Sequence, residues 1–279
     1  MHNSTSFLDV INQYIASGNI VLPVFSSAAL RIQQELVKKE PDMKAVEGIL
    51  SGDQSLSSQV LQMANSAFYH GLIEILTVRA AIVRLGMQEV GRLVLLVASR
   101  NQFRSKDKDF NVLMKQLWQH AVGCALGVKW LAKRCKFDEL EKHAFFAGLF
   151  HDIGKLFVLM VVDQMKEKDK NLPITQALLT ESMATLHAEQ GYNLMRQWNM
   201  PEEYCIITRD HHKKDYDSKN YLLILVRLAD MTCLKLGIGL AKDDSLVLSA
   251  SEEAHQLNLT EIDLAELEIV LEDTAILAG

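Results

Sequence analysis

The chain has 279 residues, of which 49% are apolar and 23% charged, with a net charge of −6. That balance suits a globular protein of one large or two ordinary domains. It argues against a nucleic-acid surface, and no block of five like charges occurs. The apolar runs fall short of the ~20 residues that a bilayer span needs. The N-terminal MHNSTSFLDV has no basic stretch leading into an apolar one. The expectation is therefore a cytoplasmic chain without membrane or nucleic-acid partners.

Apolar residues recur at helical spacing almost throughout, and strand-like alternation is nearly absent, so the predicted fold is all-α. Asp42 is placed to cap MKAVEGIL, and Asp53 to cap QSLSSQVLQMA, where Leu56, Val60 and Met63 share one face. Asn65-Ser66 breaks that pattern. VRAAIVRL follows and ends at Gly86, read as a left-handed cap. Another helix runs from Met87 through GRLVLLVAS. The polar stretch Arg100 to Phe110 reads as a junction, dividing the chain into lobes at 1–105 and 106–279.

The second lobe shows longer helices. LWQHAVGCALGVKWLA is one. Asp138-x-x-Glu141 has the spacing of a capping box and opens a helix expected to run on through HAFFAGLFHDIGK. SMATLHAEQGYNLMRQW stops before Pro201, which begins a helix ending near RDHHKK. YLLILVRLADMTCLKLG comes next, and then an acidic C-terminal tail. Cys124, Cys135, Cys205 and Cys233 lie in apolar surroundings without CxxC spacing, as small buried hydrophobes do.

Five of the nine histidines, with two aspartates, form a suggestive series: His120, His151-Asp152, His187, His211-His212 and Asp230. Each of three helices sets small residues beside its histidine. Gly123, Cys124 and Gly127 follow His120, Ala144 and Ala147 precede His151, and Gly191 follows His187. Such gaps call for a filler, either a metal with its water or a close helix crossing. Asp152 and Asp230 sit in segments apolar almost all round, where an unpaired carboxylate costs several kcal/mol. Each needs a cation, a buried partner or a proton. His2, His70, His143 and His255 are given no role. Arg196, Arg209 and Arg227 are scattered and read as solvated.

The series resembles the ligand order of the HD superfamily of metal-dependent phosphohydrolases, and in particular its HDOD members. GDQSLSSQVLQMANSAFY (52–69) and ILTVRAAIVRLG (75–86) resemble the HDOD-specific first lobe, with Thr77 where serine is usual. GLFHDIGKL (148–156) and LHAEQGYNLMRQWNMPE (186–202) resemble the second. The resemblance implies two helical lobes, the C-terminal one HD-type. It implies one or two divalent metals on His120, His151, Asp152, His187, His211, His212 and Asp230, with Asp152 bridging. Mixed imidazole and carboxylate ligands suit Fe, Mn, Zn or Ni more than Mg. Asp152 and Lys155 are the expected catalytic residues, Lys155 beside a substrate phosphate, with Gly154 letting the chain turn. The implied activity is hydrolysis of a small phosphoester or nucleotide-like substrate in bacterial signalling. The alternative is a signalling module that holds the metal for structure or sensing and binds a protein partner in trans. The paired histidines are followed by KKDYDSKN rather than by the glutamate and G-Y-P element of cyclic-di-GMP hydrolases, which argues against that substrate.

Overall fold

A computed structural model describes residues 6–278, apart from 19, 24–25, 67–68 and 70–72, and only the backbone of 274–278. His2 and His70 lie outside the described residues. The described residues form α-helices and one short 3-10 turn, with no strand, as the periodicity predicts.

The first group is α1 (Phe7–Ala16), α2 (Ser27–Leu36), α3 (Met43–Ser51), α4 (Gln54–Ala64), α5 (Val78–Leu85) and α6 (Met87–Arg100). Caps set their starts. The Asp42 carboxylate accepts from Lys44 N–H, Asp53 from Leu56 N–H and Thr77 from Ala80 N–H. α6 buries Val90, Leu93, Val94 and Leu96 against α2, α4 and α5. α1 instead packs on α9 and α10, so the N-terminus clasps the other group. Gly86 has φ +86 and ψ +155, a backbone that suits glycine but is extended rather than the left-handed helical cap expected.

The second group is α7 (Lys108–Arg134), α8 (Asp138–Phe150), α9 (Ile153–Lys168), α10 (Gln176–Gln197), α11 (Glu202–Asp210) and α12 (Tyr221–Leu236), with α13 (Glu252–Gln256) and α14 (Glu261–Ala278) closing the chain. α7 is central, packed on α8, α12 and α14. The stretch expected as an acidic tail is thus the helix α14. It sets Leu264, Leu267 and Leu271 into the core against α7.

Two further expectations need correction. Asp138 and Glu141 lie inside the first turn of α8, whose N-cap is Phe137, and no side chain caps it. The helix also does not run through FHDIGK. α8 ends at Phe150, Asp152 takes φ −104 and ψ 17, and α9 starts at Ile153. Residues 138–168 are long and apolar enough to cross a membrane by composition, but 89% of the most apolar window is buried within the bundle.

The two groups meet at a charged seam. Glu89 of α6 accepts from Tyr69 Oη at 2.7 Å and from Lys129 Nζ of α7 at 3.0 Å, and it pairs with Arg92. Burial would raise the Glu89 pKa, but Lys129, Tyr69 and Arg92 outweigh it and hold the carboxyl at about 2.

Candidate metal centre

The break between α8 and α9 aims the His151 and Asp152 side chains inward. Close helix crossings fix the surroundings. A Cβ on Gly148 would sit 2.6 Å from the Cys124 carbonyl oxygen, so α8 touches α7 there. One on Gly154 would sit 2.7 Å from the His187 carbonyl carbon, so α9 lies directly on α10. Gly154 thus serves close approach within a helix, not the turn expected of it. The small residues beside the histidines serve crossings too: Gly191 faces Gly154 and Thr208, and Gly127 faces Ala229 and Leu271.

The fold brings all seven series residues together. His120 Nε2 lies 3.2 Å from Asp152 Oδ2, 3.2 Å from Asp230 Oδ1 and 3.3 Å from His151 Nε2. On the other side of Asp152, Oδ1 lies 3.3 Å from His211 Nε2 and 3.6 Å from His187 Nε2. The His212 ring lies against that of His211, tilted by 46° with centroids 4.1 Å apart, and its Nδ1 lies 3.8 Å from Asp230 Oδ2. Asp152 therefore turns one oxygen to each half of the cluster.

The outer nitrogens settle which way the rings point. Nδ1 of His120 bonds the Ile238 carbonyl at 3.0 Å, that of His151 the Gly148 carbonyl at 2.8 Å, that of His187 the Met183 carbonyl at 2.8 Å and that of His211 the Thr208 carbonyl at 2.9 Å. A carbonyl only accepts, so each Nδ1 donates, and each Nε2 faces the cluster. Histidines that hold metals are oriented in this way. Three inward atoms are buried without a hydrogen-bond partner: Asp152 Oδ1, His187 Nε2 and His211 Nε2. Buried acceptors in this state call for a cation or a proton. The cluster is thus fit for a divalent metal.

Charge at the cluster is balanced in part by the protein itself. Lys155 Nζ donates to Asp152 Oδ2 at 2.5 Å. Burial would raise the Asp152 pKa, but the Lys155 ammonium and His151 hold it well below the usual carboxylate range. Asp230 is likewise held low against burial, by His120 and His151. Burial would lower the His120 pKa, yet Asp152 and Asp230 raise it well above its ordinary value. Burial pushes His187 down to about 4, so that ring is neutral.

Sequence reasoning missed several residues here. Cys124 Sγ lies 3.6 Å from His120 Nε2, and Cys233 Sγ lies 3.6 Å from Cys124 Sγ. The spacing His120-x-x-x-Cys124 could have flagged the first, since i and i+4 share a helix face. Arg227 is not solvated: it pairs with Glu253 and donates to the His211 and Lys213 carbonyls, pinning the turn that carries the paired histidines. Arg196 and Arg209 pair with Glu202 and Asp210. Among the histidines given no role, His143 Nδ1 bonds Tyr204 Oη at 2.7 Å and His255 is exposed.

The HDOD domain family model matches residues 22–214. The chain belongs to the HDOD family. An uncharacterized protein of Treponema pallidum (strain Nichols) is 26% identical over 219 residues, which cover 76% of this chain. The match covers 42% of that relative, so this chain spans less than half its length. An HDOD domain protein of unknown function from Geobacter sulfurreducens shares the fold, with a TM-score of 0.75 at 21% identity, covering 96% of this chain and 95% of its own. So does a Shewanella amazonensis SB2B protein named "Putative metal-dependent phosphohydrolase", with a TM-score of 0.68 at 18% identity over 98% of this chain and 99% of that one. At these identities the likeness is one of fold.

Proposed function

We propose that this HDOD protein is a metal-dependent phosphohydrolase acting on a small phosphoester or nucleotide-like substrate in bacterial signalling. The observation that carries the reading is the set of inward, buried and unpartnered atoms Asp152 Oδ1, His187 Nε2 and His211 Nε2. The name of the Shewanella relative points the same way.

In this reading His120, His151, Asp152 and Asp230 hold a first divalent ion. Asp152 also faces a second, held by His187, His211 and His212. Fe, Mn, Zn or Ni fits such ligands better than Mg. Bound metal lowers the pKa of a water and polarises phosphoryl oxygens. The residues of the chain do the rest. Backbone carbonyls hold the imidazoles in register, and the apolar walls of α8 and α9 exclude bulk water. Lys155, one turn after Asp152 and 20% exposed along its side chain, stands at the solvent side to meet phosphate charge.

Burial of the cluster favours a second reading. His151, His187 and His211 are at most 4% exposed, and His212 is the open histidine, with 48% of its side chain in solvent. A metal held so deep suits a structural or sensory role in a module that binds a signalling protein in trans. Metal analysis of the purified chain, with hydrolysis of a phosphodiester and nucleotide panel, separates the two. Metal-dependent turnover lost in Asp152→Ala supports the enzyme. Full occupancy without turnover supports the module. An Asp152→Ala chain that folds with unchanged metal content refutes the ligand assignment.

A further inference from the structure

α7 and α12 each bring a second donor atom to the cluster one turn beyond the first. On α7, Cys124 follows His120 by four residues. On α12, Cys233 follows Asp230 by three. Both cysteines are fully buried. Cys124 Sγ is turned to the same His120 Nε2 that faces His151 and Asp230, and one donor atom from each of His120, Cys124, His151 and Asp230 lies within 4.8 Å of the others.

We propose that Cys124, rather than Asp152, completes the first metal position with His120, His151 and Asp230, making it a mixed N, O and S centre that selects a thiophilic ion such as zinc over magnesium or manganese. This rests on the metal-centre reading above.

The geometry argues for it. A tetrahedral ion with nitrogen at about 2.05 Å and sulfur at about 2.3 Å spaces those two atoms about 3.6 Å apart, and two nitrogens about 3.3 Å apart. The corresponding distances are 3.6 Å for Cys124 Sγ to His120 Nε2 and 3.3 Å for His120 Nε2 to His151 Nε2. Both spacings suit one shared ion. The sulfur is also held from behind. The Cys124 backbone is locked by the α7–α8 crossing at Gly148, and Cys124 Sγ donates towards Cys233 Sγ at 3.6 Å, a contact that fixes the sulfur and whose direction would reverse once Cys124 is a coordinated thiolate. On coordination the Cys124 S–H bond breaks, a sulfur lone pair goes to the ion and the proton leaves to solvent. Thiolate donors favour zinc, whereas carboxylate and water donors suit magnesium and manganese.

The test is an anaerobic titration of the reduced, metal-free full chain with Co(II), read by absorption. The expected result is visible d–d bands together with a near-ultraviolet sulfur-to-cobalt charge-transfer band. Cys124→Ser should keep the d–d bands and lose the charge-transfer band, and Cys233→Ser should keep both. Zinc affinity of Cys124→Ser should fall by at least about tenfold, the lower end of what even an outer-shell partner contributes, with manganese affinity little changed. Cobalt bound without charge transfer in the wild type overturns the sulfur ligand while leaving the metal centre standing. A band that survives in Cys124→Ser and vanishes in Cys233→Ser also overturns it, by assigning the wrong sulfur. No cobalt bound at all sinks the metal centre and the proposal with it. If Cys124→Ser does not fold, X-ray absorption of the zinc-loaded wild type decides: a sulfur shell at about 2.3 Å supports the proposal, and nitrogen and oxygen alone at about 2.0–2.1 Å refute it.

Discussion

Gly154→Ala tests whether helix packing, rather than the ligands alone, builds the cluster. The new methyl would overlap the His187 carbonyl oxygen and lie 2.7 Å from the carbonyl carbon and 2.8 Å from Gly191 N, where ordinary contact is 3.4–4 Å. The neighbours are backbone atoms of a packed helix, so no side chain can swing away. α9 and α10 must part by at least about 0.7 Å from the carbon distance alone. Overpacking of this kind costs about 1–3 kcal/mol, and the rigid crossing puts this case at the upper end. For a chain of this size that is a fall in Tm of roughly 5–10 °C. The same parting moves His187, whose Nδ1 is tied to the Met183 carbonyl of α10, away from Asp152 on the α9 side. Calorimetry gives the stability, and metal analysis of the folded variant gives occupancy. Gly154→Ala should be destabilised and should lose metal beyond what its unfolded fraction explains. A variant as stable as wild type with the same metal content would falsify the claim that this crossing sets the site.

Three other outcomes follow from named contacts. Glu89 has its folded pKa at about 2, below the ordinary 4.5, so its contribution is complete above pH 4.5 and is lost as pH falls towards 2. That shift corresponds to about 3 kcal/mol. In urea titrations from pH 7 to 3, the stability gap between wild type and Glu89→Gln should narrow as pH falls, and a gap that stays constant would rule the linkage out. Lys155→Met removes the cation on buried Asp152 and should lower Tm strongly in chelator, since breaking one side of a buried pair costs about 3–5 kcal/mol. Saturating metal should restore much of the loss, and equal falls in Tm with and without metal would count against Asp152 as a ligand. Asn65→Ala should cost about 2 kcal/mol or more, because that side chain both donates to the Ile75 carbonyl and accepts from Ile75 N–H at 2.8 Å. Denaturation showing less than about 0.5 kcal/mol would contradict its role as the clamp of the α4–α5 loop.

The helices were legible because their starts are written locally. Asp42 and Asp53 stand one residue before apolar runs and cap as expected. Local signals failed where tertiary context decides. FHDIGK holds no proline, and its glycine lies beyond the break, so nothing in the apolar run marks the turn at His151-Asp152. Asp138-x-x-Glu141 has capping-box spacing, but the chain enters α8 one residue earlier, which puts both carboxylates inside the helix. Of the seven ligand candidates, Asp152 and Asp230 stood out because a carboxylate in apolar surroundings demands a partner, whereas the five histidines stood out by their order along the chain, the small residues beside three of them and the family resemblance. Cys124 was read only as a small residue beside His120; the i, i+4 spacing puts it on that face, but nothing in the sequence shows its sulfur turned to the cluster. Asn65 looked like a breaker, and two of its side-chain hydrogen bonds reach ten residues on, beyond any local pattern.

The cluster carries part of its own counter-charge. Asp152 and Asp230 are two buried carboxylates within 3.2 Å of one imidazole nitrogen. Their negative charge is met by Lys155 and by a proton drawn onto His120. Both are replaceable. Lys155 reaches solvent at its outer edge, and the His120 proton leaves when a metal takes the nitrogen. His187 has no such stand-in: burial pushes its pKa down to about 4, and its Nε2 faces Asp152 Oδ1 without a hydrogen-bond partner. The two halves of the cluster therefore differ before any metal binds. The first is compensated and the second is not, so the second half stands to gain more stability from its ion.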